Sequence, residues 1–187
     1  MSQLTLSSKS SVKQLSISAI LTAFAILIPL MMPIKIVIGP ASYTLASHIP
    51  LFIAMFISPA TAILVALGSS LGFFLAGFPI VIVFRALTHL IFLTLGAFLI
   101  KRFPSFMDTK RFFLLGIGLN LLHGLGEYIV VMALTSGGQT SDTYWMTMLG
   151  LVGLGSALHG LLDFSLAYYF WKILKERKIY QPKYELI

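Results

Sequence analysis

The chain has 187 residues, of which 58% are hydrophobic and 10% charged, with no cysteine and a formal net charge of +7. Soluble domains carry about a quarter charged residues to solvate their surfaces, so this composition excludes a water-soluble globular domain and leaves lipid as the main solvent. The missing cysteines exclude disulfides, thiolate zinc sites and iron–sulfur clusters.

Taken in chain order, residues 14–34 form an uncharged run of 21 and residues 36–84 one of 49. A bilayer crossing needs roughly 20 apolar residues. The first run predicts a span over 12–32 that ends at Pro33; its length, with no small-residue cleavage site after it, argues against a cleaved signal peptide. As one helix the second run would reach about 73 Å at 1.5 Å per residue, so it must fold back. The predicted breaks are Gly39-Pro40, Ser58-Pro59 and Gly77-Phe78-Pro79, which give spans over 43–57 and 60–76. Three more spans follow over 80–100, 112–134 and 144–171. The predicted fold is a single all-α integral membrane domain over 1–187, with six transmembrane helices.

Eleven of the thirteen Lys and Arg fall in three clusters: Lys9 and Lys13; Lys101, Arg102, Lys110 and Arg111; and Lys172, Lys175, Arg177, Lys178 and Lys183. Clusters that flank apolar spans are topology signals rather than a nucleic-acid surface. An even span count puts all three on one side, so both termini are predicted to be cytoplasmic. The outer connections at 33–42, 77–79 and 135–143 then carry only Lys35 and Asp142 as charges. Tyr144, Trp145 and Trp171 sit where interfacial aromatics are expected.

The informative residues are those that a membrane should exclude: His48, Arg85, His89, Asn120, His123, Glu127, His159 and Asp163, with Ser42, Tyr43, Ser47, Thr88 and Tyr128 as milder companions. An ionisable group at bilayer depth costs several kcal/mol unless it is paired or faces a cavity. Arg85 and His89, His123 and Glu127, and His159 and Asp163 are each four residues apart, so three helices each present one polar stripe. Depth estimates bring His48, Arg85, Glu127 and Tyr128 to the outer half, which predicts a pocket open to the outside. Asn120, His159 and Asp163 read equally as interhelical hydrogen-bond partners. Arg85 cannot shed its charge and needs an anion, which is either Glu127 or an incoming substrate. A guanidinium flanked by imidazoles and by Tyr43, Tyr128 or Trp145 suits a small, flat, aromatic carboxylate. Gly116, Gly118, Gly124 and Gly126, with Gly150, Gly153, Gly155 and Gly160, predict close helix approach, and Ala19 and Ala23 make a small flat stripe on the first span.

No H-E-x-x-H, G-x-S-x-G or G-x-x-x-x-G-K-S/T motif is present, so the chain is not read as an enzyme. An intramembrane acid/base enzyme using His123 and Glu127 is the alternative from another class. His and carboxylate one helical turn apart are capable of holding a metal, but none is assigned.

The order of these features resembles the substrate-binding (S) components of energy-coupling factor (ECF) vitamin transporters. The resemblance rests on Ser18-Ala19-Ile20-Leu21-Thr22-Ala23, on Ala41-Ser42-Tyr43-Thr44-Leu45-Ala46-Ser47-His48-Ile49-Pro50, and on Gly77-Phe78-Pro79-Ile80-Val81-Ile82-Val83-Phe84-Arg85-Ala86-Leu87-Thr88-His89. The latter two are most similar to the niacin-specific branch. The resemblance implies high-affinity vitamin binding in a bacterial plasma membrane, with niacin as substrate and pantothenate or another small anionic vitamin as the alternative. It further implies a membrane T component and two cytosolic ATPases as partners, which use the ATP, and no cofactor in this chain. Ala19 and Ala23 would face those partners. Tyr43, His48, Arg85, His89, His123, Glu127, Tyr128, Trp145 and His159 would line the pocket.

Overall fold

The computed structural model describes residues 2–107, 109–138 and 141–177; Lys178, Lys183 and positions 139–140 of the last outer connection lie outside them. The elements are α1 (Ser2–Met31), a hairpin of β1 (Lys35–Ile38) and β2 (Ala41–Thr44), α2 (Ile49–Ile57), α3 (Pro59–Leu75), α4 (Ile80–Arg102), a short 3₁₀ turn, α5 (Thr109–Thr135), α6 (Asp142–Met148), a wide π-type turn (Leu149–Leu154) and α7 (Gly155–Glu176). Among the described residues four stretches are long and apolar enough to cross a membrane: 20 residues of α1, 23 of α4, 26 of α5 and the 35 that run from α6 through α7. The chain is a multi-pass membrane protein.

Its surface is sorted unlike that of a soluble bundle, with apolar side chains outward around a core that mixes apolar and polar groups. On α5, Leu114, Leu121 and Leu125 are 69%, 56% and 52% exposed, whereas Asn120, His123 and Glu127 are 1%, 1% and 3% exposed. Apolar residues that would be buried in water face lipid here, and the polar stripe at helical spacing turns inward.

The expected helix over 43–57 is corrected. Residues 43–44 belong to β2, residues 45–48 form a turn, and α2 has only nine residues, about 13.5 Å of rise, which is less than half of a hydrocarbon core of roughly 30 Å. Two local causes account for the difference. Gly39, at φ +55°, and Pro40 make a two-residue hairpin loop, because glycine takes the left-handed first position and proline fixes the second. Pro50 then occupies the first turn of α2, where its missing N–H is harmless. The predicted break at Ser58-Pro59 is present: Ser58 is extended, its Oγ accepts the Thr61 N–H at 3.1 Å, and Pro59 opens α3.

Contacts between elements fix their directions. Gln14 donates to Ser58 at the start of α3, while Ile26 lies against Gly72, so α1 and α3 run the same way. The hairpin end of α2 meets Asp163, and Phe56 meets Trp171 at 5.7 Å, so α2 runs with α7. Arg85 pairs with Glu127 and Gly96 meets Leu119, so α4 and α5 are antiparallel. The N-terminal part of α1 and the end of α7 therefore share one end of the bundle. That half is filled by Phe52, Phe56, Phe92, Phe112, Phe164 and Trp171.

Gly124 lies so close to the Gly153 carbonyl in the π-type turn that a methyl group there would strike backbone. Gly118, on the same helix, faces open space and is exposed. Gly124→Ala is therefore expected to destabilise the protein by about 1–3 kcal/mol. Gly118→Ala should be neutral or stabilising by up to about 1 kcal/mol. Thermal unfolding in detergent measures both; equal effects would contradict the close approach.

Candidate binding site

Four elements deliver the polar groups. The turn after β2 brings His48, α4 brings Arg85 and His89, α5 brings His123 and Glu127, and α7 brings His159 and Asp163. Because each helical pair is one turn apart, both members point to the same interior space. The four imidazoles gather around His48, whose ring centroid lies 5.0 Å from His89, 4.9 Å from His123 and 5.1 Å from His159. Phenylalanines form the floor, with Phe92 4.8 Å from His123 and Phe52 6.3 Å from His48.

Arg85 is held on two sides. Its Nη2 donates to Glu127 Oε2 at 2.7 Å, and its Nη1 donates to the Pro40 carbonyl at 2.7 Å and to Ser42 Oγ at 3.2 Å. Its Nε is buried without a hydrogen-bond acceptor among the described residues. The alternative left open by the sequence is thus resolved: Glu127 is the internal counter-ion. The other Glu127 oxygen, Oε1, faces His89 Nε2 at 3.5 Å and His123 Nε2 at 3.9 Å.

Asp163 is the second fully buried carboxylate, and it fastens the turn after the hairpin. Oδ1 accepts the Ala46 N–H at 2.9 Å, and Oδ2 accepts the His48 N–H at 2.9 Å while facing His48 Nδ1 at 3.2 Å. Ala46 has φ +68°, a left-handed conformation that costs an L-residue roughly 1–2 kcal/mol and needs such fixing. The Tyr43 hydroxyl donates to the Leu151 carbonyl in the π-type turn, a place where regular helical pairing is interrupted. The hairpin is therefore tied to α4, to the π-type turn and to α7.

Between hairpin and floor lies a cavity of about 170 Å³. This is below the roughly 300–1,000 Å³ of pockets for drug-sized ligands, so a small molecule is the fitting occupant. Its walls include Ser42, Thr44, Ser47, His48, Arg85, His89, Glu127 and His159. Of the residues expected to line it, His48, Arg85, His89, Glu127 and His159 do so. His123 lies behind them, in ring contact with His48 and His89. Tyr43 points away toward α7, with its ring 5.8 Å from His159. Tyr128 and Trp145 lie outside the cavity: Tyr128 packs with Val131 and Val152, and Trp145 is exposed on α6. The aromatic faces come instead from Phe73 and Phe78, whose rings are 4.7 Å apart, and a second cation, Lys35, also lines the cavity. Proximity of Phe78 to the Gly77-Pro79 break, and the place of Lys35 as one of two charges in the predicted outer connections, were the available sequence signals; nothing in the spacing singled out Phe73. Two sets of side chains have metal-ligand chemistry: His48, His89, His123 and Glu127, and His48, His159 and Asp163.

Ala19 and Ala23 are exposed on α1, on the outside of the bundle and away from the cavity. Asn120 donates to the Gly116 carbonyl at 2.8 Å within its own helix.

The chain is similar to the niacin transporter NiaX of Lactococcus lactis subsp. cremoris (strain MG1363), with 42% identity over 168 residues that make up 88% of this chain and 76% of the relative. No protein-family profile matches the chain. No solved structure matches it either.

Asp163→Asn leaves one acceptor oxygen where two backbone N–H groups now have partners. An orphaned buried donor costs about 1–3 kcal/mol, so unfolding in detergent should shift down by that amount. Ser165→Ala removes only a bond to the Leu161 carbonyl on the same helix and should change stability by less than about 0.5 kcal/mol. Equal shifts for both variants would contradict the anchoring role of Asp163.

Proposed function

The chain belongs to the family of the niacin transporter NiaX, the niacin-specific branch of the ECF S components, and on that basis we propose that it is the vitamin-binding subunit of an ATP-driven uptake system with nicotinate as its substrate. The observation that carries this reading is Arg85 on the wall of a small buried cavity, with one edge on Glu127 and the other on two neutral acceptors.

Nicotinate is an anion at neutral pH and carries a flat aromatic ring. A charged acceptor makes shorter and roughly twice as strong hydrogen bonds as a neutral one. The substrate carboxylate therefore takes the Nη1 edge that the Pro40 carbonyl and Ser42 hold, while Glu127 keeps the guanidinium oriented. Phe73, Phe78 and the imidazoles of His48 and His159 supply faces for the ring, and Lys35 adds attraction for an anion.

The alternating directions of α1 to α5 and α7 support six membrane segments, with both chain termini at one cytoplasmic end of the bundle. Lys13, Lys101, Arg102, Lys110, Arg111, Lys172 and Lys175 all fall at that common end, as the positive-inside rule requires. The energy enters through partners: a membrane T component that docks on the α1 face bearing Ala19 and Ala23, and two cytosolic ATPases. Small exposed side chains in a membrane helix permit such close approach.

Calorimetric titration of the purified protein with nicotinate, nicotinamide and pantothenate tests the substrate. Nicotinate should bind at least about tenfold more tightly than the neutral amide, because a charge-assisted hydrogen bond contributes about 1.5–3 kcal/mol. Arg85→Lys, which retains the charge but loses the fork, should reduce that preference. Equal affinity for acid and amide, or tighter binding of pantothenate, would contradict the assignment. Vesicles holding the chain with and without the ATPase partners test the coupling: uptake should require both partners and ATP.

A further inference from the structure

We propose that His48, His89, His123 and Glu127 bind a divalent transition-metal ion of the zinc, cobalt or nickel type at the inner end of the cavity. One ligand atom from each of the four lies within 4.8 Å of all the others. Bonds of about 2.0–2.1 Å in a tetrahedral zinc site put neighbouring ligand atoms roughly 3.3 Å apart. Glu127 Oε1 is already 3.5 Å from His89 Nε2 and 3.9 Å from His123 Nε2.

A cluster of packed rings would not need a metal if its polar atoms were satisfied. They are not. Both ring nitrogens of His89 and both of His123 are buried without a hydrogen-bond partner among the described residues. Buried polar atoms are paired in the great majority of native sites; a neutral imidazole carries one lone-pair nitrogen and one N–H, so an ion would take up the unpaired lone pair of one nitrogen on each of the two rings.

The surrounding groups have the form of a metal site's supporting shell. A metal-bound imidazole usually gives its other nitrogen to a carboxylate, and His48 Nδ1 faces Asp163 Oδ2 at 3.2 Å, leaving Nε2 for the ion. Asp163 is itself fixed by two backbone N–H groups. Glu127 gives Oε2 to Arg85 and so presents Oε1 toward the imidazoles. Three nitrogens and one carboxylate oxygen suit a borderline ion rather than calcium or magnesium, which demand oxygen donors.

Charge favours the same conclusion. With neutral imidazoles, the two buried carboxylates and one guanidinium leave the cluster with a single negative charge. A divalent ion reverses the sign of this cluster and adds to the attraction that Arg85 and Lys35 offer an anion. In the part of the inference that rests on the nicotinate reading, a bound monoanion then brings the buried cluster to neutrality.

The test uses full-length protein freed of any histidine tag, stripped with chelator and titrated with Co²⁺ while the visible d–d bands are recorded. Uptake of about one equivalent, with intense bands of four-coordinate cobalt that Zn²⁺ abolishes, is expected. His123→Gln should lose the signal, and Asp163→Asn should weaken it about 10–100-fold through the loss of the orienting carboxylate. No saturable uptake by the unmodified protein, or unchanged uptake by His123→Gln, would overturn the site. Nicotinate binding, measured before and after reloading, keeps the two readings apart. Nicotinate bound by protein that takes up no metal overturns the metal site alone, and stoichiometric metal uptake without nicotinate binding overturns the vitamin assignment alone.

Discussion

A guanidinium placed in the middle of an apolar bundle stays charged, so the fold must bring acceptors to it. Arg85 on α4 is that group, and its three acceptors come from α5 and from the hairpin between α1 and α2. One side chain thereby links the roof of the cavity to two of its walls. Removing Glu127 would leave an unpaired charge in low dielectric, which is far more costly than never having buried the pair. The position of the hairpin and the polarity of the cavity are both consequences of satisfying this one cation.

Asp163 repeats the solution with opposite sign. A carboxylate with no exposure is stabilised by two backbone N–H groups from a strained turn and by the His48 ring. The turn would not hold Ala46 in a left-handed conformation without it, and the carboxylate would have no donors without the turn. Below these groups the phenylalanine layer of α2, α4, α5 and α7 separates the cavity from the other end of the bundle. Access from the hairpin side, and not from the end that carries the basic clusters, follows from that layering.

The sequence made the polar stripes legible because four-residue spacing on a helix leaves little freedom: the pairs on α4, α5 and α7 meet as their periodicity requires. The breaks at Gly39-Pro40, Ser58-Pro59 and Gly77-Pro79 were legible for the same kind of reason, since glycine and proline act on the backbone directly. The hairpin was not. Residues 35–48 are mostly apolar or uncharged, and nothing in their composition separates a strand that roofs a cavity from the start of a membrane helix. Tyr128 was placed by depth and Trp145 by its interfacial position and the resemblance, and neither says which side of a helix faces inward. Tyr128 follows Glu127 directly and so turns toward the π-type turn, while Trp145 lies on the outer surface of α6. Phe73 carries no polar signal that would mark it among the fifteen phenylalanines of the chain.

The central claim is that the cavity beneath the hairpin receives an organic anion at Arg85 while Glu127 remains its internal counter-ion. A structure of the protein determined with nicotinate is the most direct measurement. The account predicts the ring between the phenylalanine and imidazole faces, with its carboxylate within hydrogen-bond distance of the guanidinium edge now turned to Pro40 and Ser42. Nicotinate seated elsewhere, with Arg85 still bound only to Glu127, Pro40 and Ser42, would contradict it.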